Sequence, residues 1–507
     1  MTSRRYTHSN PGKRRLRLLP AILPSIGLAL SMTLPVQSVQ GSTRSAASAP
    51  RPGAWTQLGT AQGGTTPTLI HVANGNDLVV WMAPGASGKY HYDSVELKPT
   101  GGMASKPTDV FGGKDWDGLT FTPILVSDGG QPLLIFEGGR DTIGTDPYSR
   151  GCIVGDLLTP GGWQLQSWSL SADCLLDHIG TTVTQNGTLA AAWPGGWSNG
   201  NGILYRIGVS SSIPATAADQ QISTRVGDAG SVGAATDMGN QDAYAVWTRF
   251  FSKPATQDGL WAADLTKGSA PLKAPDTGTN LVASFPEPVA IAGPTGRSGI
   301  YLAYCNNASP CSRVELWRYG DKTAKTVPKS TSPRSVALSA GPSGRLWIAW
   351  WSSKNGTVRV VRTNEAGNAF GPVETHAGPH GCTSDGNGTI KLSSGSQQRL
   401  DVAMSCYDYV SAHGAVHASA TQSLVPLQVA ATTVSVNRKQ GGSVTYRVSD
   451  VGDAVVGATV TVDGKKGTTN KKGQIKFHFP KGSRTGSFKV VATMANYLGA
   501  STSLQIR

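Results

Sequence analysis

The sequence predicts an all-β protein: a seven-bladed β-propeller followed by a small β-sandwich. Three observations carry this. An apolar phrase recurs seven times, Gly and Thr abound while Glu and Lys are scarce, and the charge balance changes abruptly near Pro426. The chain has 507 residues with 38% hydrophobic and 15% charged, too apolar and too weakly charged for a disordered polymer.

The recurring phrase is Leu78-Val79-Val80-Trp81, Leu133-Leu134-Ile135-Phe136, Ala190-Ala191-Ala192-Trp193, Tyr244-Ala245-Val246-Trp247, Tyr301-Leu302-Ala303-Tyr304, Trp347-Ile348-Ala349-Trp350 and Asp401-Val402-Ala403-Met404. Its closing residues step by 55, 57, 54, 57, 46 and 54, a spacing that suits four-stranded blades and exceeds leucine-rich or ankyrin units. An unbroken apolar run fits the second strand of a blade, buried on both faces. A short apolar strand and turn precede each copy, as in Val336-Ala337-Leu338 before Gly341-Pro342-Ser343-Gly344. Alternating strands follow, as in Val314 to Tyr319 and Val358 to Arg362. The seventh copy lacks an evident fourth strand after Ala415 to Gln422. Ala54-Trp55-Thr56-Gln57-Leu58 is the spare segment that would supply it, closing the ring without an open sheet edge.

Before the repeats, residues 1–49 read as a secretory signal peptide. Seven basic residues and no carboxylate frame an apolar stretch from Leu16 to Leu34, and small residues follow to Ala49. Pro20 and Pro24 interrupt that stretch, which favours a cleaved leader over an anchor, so no stable membrane span is expected after processing. A secreted or extracellular location follows; cell-wall association is a further expectation that rests on the basic C-terminal unit rather than on the leader. Six cysteines formally allow about 15 connectivities. They fall as three close pairs, and local disulfides Cys152–Cys174, Cys305–Cys311 and Cys382–Cys406 are expected in an oxidising compartment. C-x-x-C spacing is missing, so no metal site is expected; no cofactor is expected either.

After Pro426, shorter strands appear at Ser443–Val448, Ala458–Val462, Gln474–Phe479 and Ser487–Thr493, giving a second unit over 427–507 beside a propeller over 50–425. The second unit holds 12 Lys/Arg against 3 Asp/Glu, net +9, whereas 51–425 holds 26 against 28, net −2. Lys465, Lys466, Lys471 and Lys472 crowd one predicted hairpin. Such a patch favours polyanions, an anionic cell-wall polymer among them. The near-neutral propeller argues against nucleic acid.

The chain resembles the secreted sialidase-like and lectin-like β-propellers, joined to a bacterial immunoglobulin-like or carboxypeptidase-regulatory-like module. The module resemblance rests on Ala458-Thr459-Val460-Thr461-Val462-Asp463-Gly464 with Thr468-Thr469-Asn470 and Gly473. The propeller resemblance includes one degenerate Asp box, Thr363-Asn364-Glu365-Ala366-Gly367-Asn368-Ala369-Phe370, with Glu365 in place of Asp and Phe370 in place of Trp. It implies a glycan-binding or adhesion protein whose ligand is an extracellular polysaccharide or glycoconjugate. The alternative it implies is a sialidase-like glycoside hydrolase or a polysaccharide lyase. Catalytic roles do not carry over, because a single box is visible and no arginine triad is found.

In a propeller the loops joining strands 2 and 3, and those entering strand 1, share one mouth. They supply Arg140, Trp197, Arg249, Arg334, Trp351, Tyr407 and Tyr409 as candidate ligand-binding residues, the aromatic faces for sugar rings. The nearest acids for glycoside hydrolysis, which needs two opposed carboxyl groups, are Glu137, Asp141, Asp177 and Glu287. The strand aromatics Trp81, Trp193, Trp247, Tyr304 and Trp350 read instead as packing between blades. Asn186-Gly187, Asn355-Gly356 and Asn387-Gly388 read as hairpin turns ahead of Thr-led strands.

Overall fold

The structure is a computed structural model. It describes residues 54–507 apart from 63–64, 86–88, 100, 114–115, 117, 120–122, 129, 140–151, 170–178, 185, 195–201, 210–218, 225–230, 238, 251–254, 279–288, 293–297, 307–310, 381, 383–386, 394–399, 408–412, 424 and 496. The chain is all-β and built from many small sheets. Ala49–Arg507 cluster as one compact unit.

Seven sheets follow one another along the array, all antiparallel, and six of them have four strands. The second strand of each carries the apolar phrase: Asp77–Pro84, Gln131–Gly139, Thr188–Pro194, Ala243–Arg249, Ser298–Cys305, Leu346–Ser352 and Leu400–Tyr407. Sheet 2 has a fifth strand, because Gly118–Leu119 pairs with the far end of Gln131–Gly139 beyond Ile124–Asp128. Gly138 permits this approach: a Cβ there would come within 2.8 Å of both Leu119 and Trp116. In sheet 7, Thr56–Gln62 pairs antiparallel with His413–Ser423 as the fourth strand.

The period-two alternation of these strands explains why the runs are unbroken. Val79 and Trp81 pack toward sheet 7, while Leu78, Val80 and Met82 pack toward sheet 2. The same division repeats around the array, so apolar clusters join sheets 1 and 2, 2 and 3, 3 and 4, 4 and 5, 5 and 6, 6 and 7, and 7 and 1. Every closing residue of the phrase faces the preceding sheet, and all seven are buried.

The first strands also meet in cyclic order. Hydroxyl groups tie several of them: Leu125 N–H donates to Thr68 Oγ1 at 3.3 Å between sheets 2 and 1, and Thr182 and Thr236 share a 2.9 Å bond between sheets 3 and 4. Ile390 N–H donates to Ser335 Oγ at 3.2 Å between sheets 7 and 6, and Thr389 Oγ1 donates to Thr65 O at 3.1 Å, just ahead of the first strand of sheet 1. Small residues are required here. A Cβ on Gly180 would stand 2.4 Å from the backbone of Gly233.

After the seventh sheet the strands build two larger sheets and one parallel two-stranded pair, Val425–Pro426 with Tyr497–Leu498. Gly442–Asp450 pairs with Gln428–Ala431, Asp453–Ala454 and Gln474–Phe479; Gly486–Thr493 lies between Ala500–Ile506 and Thr459–Val462, which extends to Lys465–Thr468. Val444, Tyr446, Phe477 and Phe479 of the first sheet share a core with Val460, Val462, Val490 and Leu504 of the second. Sequence reasoning missed the edge strands Gln428–Ala431 and Lys465–Thr468, and Ala500–Ile506, which lies between Gly486–Thr493 and Ser435–Val436. One turn assignment is corrected: Asn387 lies in the first strand of sheet 7, opposite Tyr407, whereas Asn186-Gly187 and Asn355-Gly356 are in turns.

Candidate functional site

Antiparallel order puts the connections between strands 2 and 3, and those entering strand 1, at one edge of each sheet. The remaining connections lie at the other edge. At the first edge the 305–314 loop of sheet 5 is held twice. A disulfide joins Cys305 to Cys311, and the carboxamide of Asn306 accepts from the N–H groups of Ser312 and Arg313 at 3.1 and 3.3 Å while donating to Ser312 Oγ at 3.0 Å. Asn306 is buried, so these bonds form away from competing water. The loop leaves through Arg313, which pairs with Glu315 at 2.5 Å and with Asp276 at 2.8 Å.

In sheet 7 a second disulfide, Cys382–Cys406, joins the loop entering the first strand to the end of the second. The imidazole of His417 lies within 4.8 Å of both sulfurs. The sulfurs are bonded to each other and offer no thiolate to a metal. Burial, then repulsion from His380, lowers the pKa of His417 below the ordinary histidine value. Cys174 lies outside the described residues, and with it the Cys152–Cys174 pair.

Two candidate ligand-binding residues are corrected. Trp351 is in the second strand of sheet 6 with 0% exposure, in the core between sheets 6 and 7, and a Cβ on Gly378 would touch its ring at 2.5 Å. Arg249 is 2% exposed, its guanidinium 3.9 Å from the centroid of Trp261. Both strands run past the apolar phrase, which keeps these side chains inside the sheet. Nearby, Lys273 donates to Thr256 O at 2.6 Å, and burial above all lowers its pKa.

Arg334 differs: it is exposed just ahead of the first strand of sheet 6, its N–H held by Trp351 O at 2.9 Å. The backbones of Glu137 and Tyr407 stand opposite Ile153 and Asn387, Tyr407 at the end of its strand and Glu137 two residues short of the end of its own. Arg140, Asp141, Asp177, Trp197, Glu287 and Tyr409 lie outside the described residues. Of the candidate set, the structure therefore describes one exposed cation, two buried side chains and the backbone positions of two further residues.

At the opposite edge of sheet 6 lies a cluster that sequence reasoning did not find. Asp450 from the C-terminal segment is 0% exposed and accepts from Arg345 Nε at 3.1 Å, from Arg362 Nη2 and from the hydroxyl of Tyr497 at 3.3 Å. Asp453 accepts from Arg345 Nη2 at 2.8 Å and from the N–H of Glu365 at 2.8 Å. Glu365 reaches Arg345 at 3.2 Å. Arg362 also lies over the rings of Trp347 and Tyr497, at 5.2 and 5.6 Å. Burial above all lowers the pKa of Arg362, and the carboxylate of Asp450 supplies the compensating charge. Val425–Pro426 runs parallel to Tyr497–Leu498 beside the cluster.

This changes the meaning of the degenerate Asp box. Asn364, rather than Glu365, caps the turn, its side chain accepting from the N–H groups of Asn368 and Ala369 at 2.9 and 3.1 Å. Glu365 belongs to the cluster. The available signal was compositional: Asp450 and Asp453 are two of the three carboxylates in a strongly basic segment.

No family model matches the chain, and no curated protein matches it. Solved structures that are similar include a protein of unknown function from Dyadobacter fermentans, at 13% identity and TM-score 0.35 over 72% of this chain and 99% of that one. An α-L-arabinanase from Penicillium chrysogenum complexed with arabinobiose aligns at 12% identity and TM-score 0.38, covering 73% and 98%. A puromycin hydrolase aligns at 13% identity and TM-score 0.39, covering 88% and 62%. Likeness at this level says nothing of what this chain binds or transforms. Among the described residues, no helix is long and apolar enough to cross a membrane.

Proposed function

We propose that this is an exported glycan-binding protein in which the seven sheets are the blades of a closed β-propeller over 50–425. The immunoglobulin-like or carboxypeptidase-regulatory-like module over 427–507 docks against one edge of it, and residues 1–49 are its secretory leader. The cyclic succession of apolar clusters and the pairing of Thr56–Gln62 with His413–Ser423 support closure. One observation carries the functional reading. Two disulfides tie loops at the same edge of the array, while the C-terminal segment occupies the opposite edge of sheet 6. Loops ordered beforehand lose less entropy when a ligand arrives, so a stapled rim suits recognition of an extracellular polysaccharide or glycoconjugate.

A glycan array read together with turnover of chromogenic glycosides tests this. The expected result is saturable binding without turnover, weakened about tenfold by Arg334→Ala, as for an exposed arginine contact. Turnover that Glu137→Gln abolishes would replace the binding reading with a glycoside hydrolase. Absence of any glycan binding would overturn both.

A further inference from the structure

We propose that the C-terminal segment carries a second binding face, for an acidic polysaccharide, on the exposed side of its Gly442–Asp450 and Gln474–Phe479 strands. The segment's 12 cations face only 3 carboxylates, and two of these, Asp450 and Asp453, are spent on Arg345 and Arg362 of the array. Docking therefore removes negative charge from the segment's surface and leaves Asp463 as its one remaining carboxylate. Eleven of the 12 cations are exposed. An imbalance of this kind on a secreted protein attracts polyanions.

Register organises the charge. Val444, Tyr446, Val448, Phe477 and Phe479 point into the core, so Arg447, Lys476 and His478 share the outer face. Neighbours two residues apart on a strand are about 7 Å apart, as are diagonal partners across a pair. The turn ahead of Gln474–Phe479 adds Lys471 and Lys472, its shape fixed by Asn470, which accepts from Lys472 N–H at 2.9 Å and Gln474 N–H at 3.0 Å. Spaced point charges on a pleated surface match a polymer bearing one anionic group per repeat. Among the described residues of this segment no Phe, Tyr or Trp ring is fully exposed and the imidazole of His478 is the one exposed ring, so the face lacks the succession of stacking platforms that single-stranded nucleic acid uses. The rim of the array plays no part in this face.

The test measures binding of the full chain to polygalacturonate, with single-stranded DNA and neutral dextran as comparison probes. One variant carries Lys471→Glu, Lys472→Glu and Lys476→Glu. A second carries Lys98→Glu, Lys106→Glu and Lys322→Glu, the same charge change at exposed sites of the array. Affinity for polygalacturonate is expected to fall about tenfold in the first variant and stay unchanged in the second. Raised salt is expected to weaken binding, because exposed charges are screened. A thermal midpoint confirms folding, and Lys→Gln at the same three positions gives a milder form of the first variant. Equal losses in the two variants, tighter binding of DNA, or equal binding of dextran would each overturn the proposal.

Discussion

The two edges of sheet 6 solve opposite problems. At the edge of Arg345, Glu365 and Gly371, the array receives the C-terminal segment through a buried set of ions, with Val451 packed against Gly371. At the other edge, Arg334 meets solvent, and the neighbouring sheets 5 and 7 carry the disulfide-tied loops. Charges taken out of water fix one partner in one register, because any mismatch leaves an ion uncompensated. Covalent ties restrain a loop without specifying what sits on it. One edge is committed to the C-terminal segment, and at the other the disulfides tie each loop only to its own sheet.

Removing Asp450 is the severest test of this contrast. Asp450→Ala strands Arg345 and Arg362 and is expected to destabilise the fold by about 3–5 kcal/mol, the usual consequence of breaking a buried ion pair. Urea denaturation should then resolve the C-terminal segment as a separate early transition. A single unshifted transition would mean the cluster is incidental to docking. Next in size are the disulfides. Closing a longer stretch of chain stabilises more, so Cys382→Ser with Cys406→Ser should lose about 3 kcal/mol, and Cys305→Ser with Cys311→Ser about 2 kcal/mol. Both losses should leave the docked edge intact by limited proteolysis, and cleavage near Val425 in either variant would show that the two edges are coupled.

The smallest effect concerns pH. Folding favours neutral His417, so below about pH 6.5 the unfolded chain binds more protons than the folded one, and stability falls as acid is added. Urea midpoints at pH 7.5 and 5.5 should converge in His417→Gln relative to the parent. An unchanged slope would assign the pH response to other groups.

The second strands were legible because burial on both faces favours a nearly unbroken apolar run, Asp401 of the seventh copy being the polar exception within the phrase. The closing strand Thr56–Gln62 was legible because sheet 7 visibly lacked a fourth member. The misreadings of Arg249 and Trp351 share a cause: the apolar phrase marks only the middle of a strand. Trp350 faces sheet 5 and Trp351 faces sheet 7, so adjacent tryptophans are both interior although only the first keeps the repeat. The fourth strands Thr108–Asp109, Leu272–Lys273 and Lys325–Thr326 are too short to show any periodicity. The ion cluster was invisible for a different reason. Arg345 and Asp450 are 105 residues apart, and nothing local in either sequence announces the other.

Thr56–Gln62 is made early and mated late. Thr56 meets Ala418, so ribosomes must finish six whole sheets before its ladder has anywhere to form. Contacts this remote make for slow kinetics, and meanwhile an unoccupied strand edge is a template for aggregation. A nascent chain halted ahead of His413 would carry that hazard, which gives chaperones that cover exposed backbone a defined moment to act.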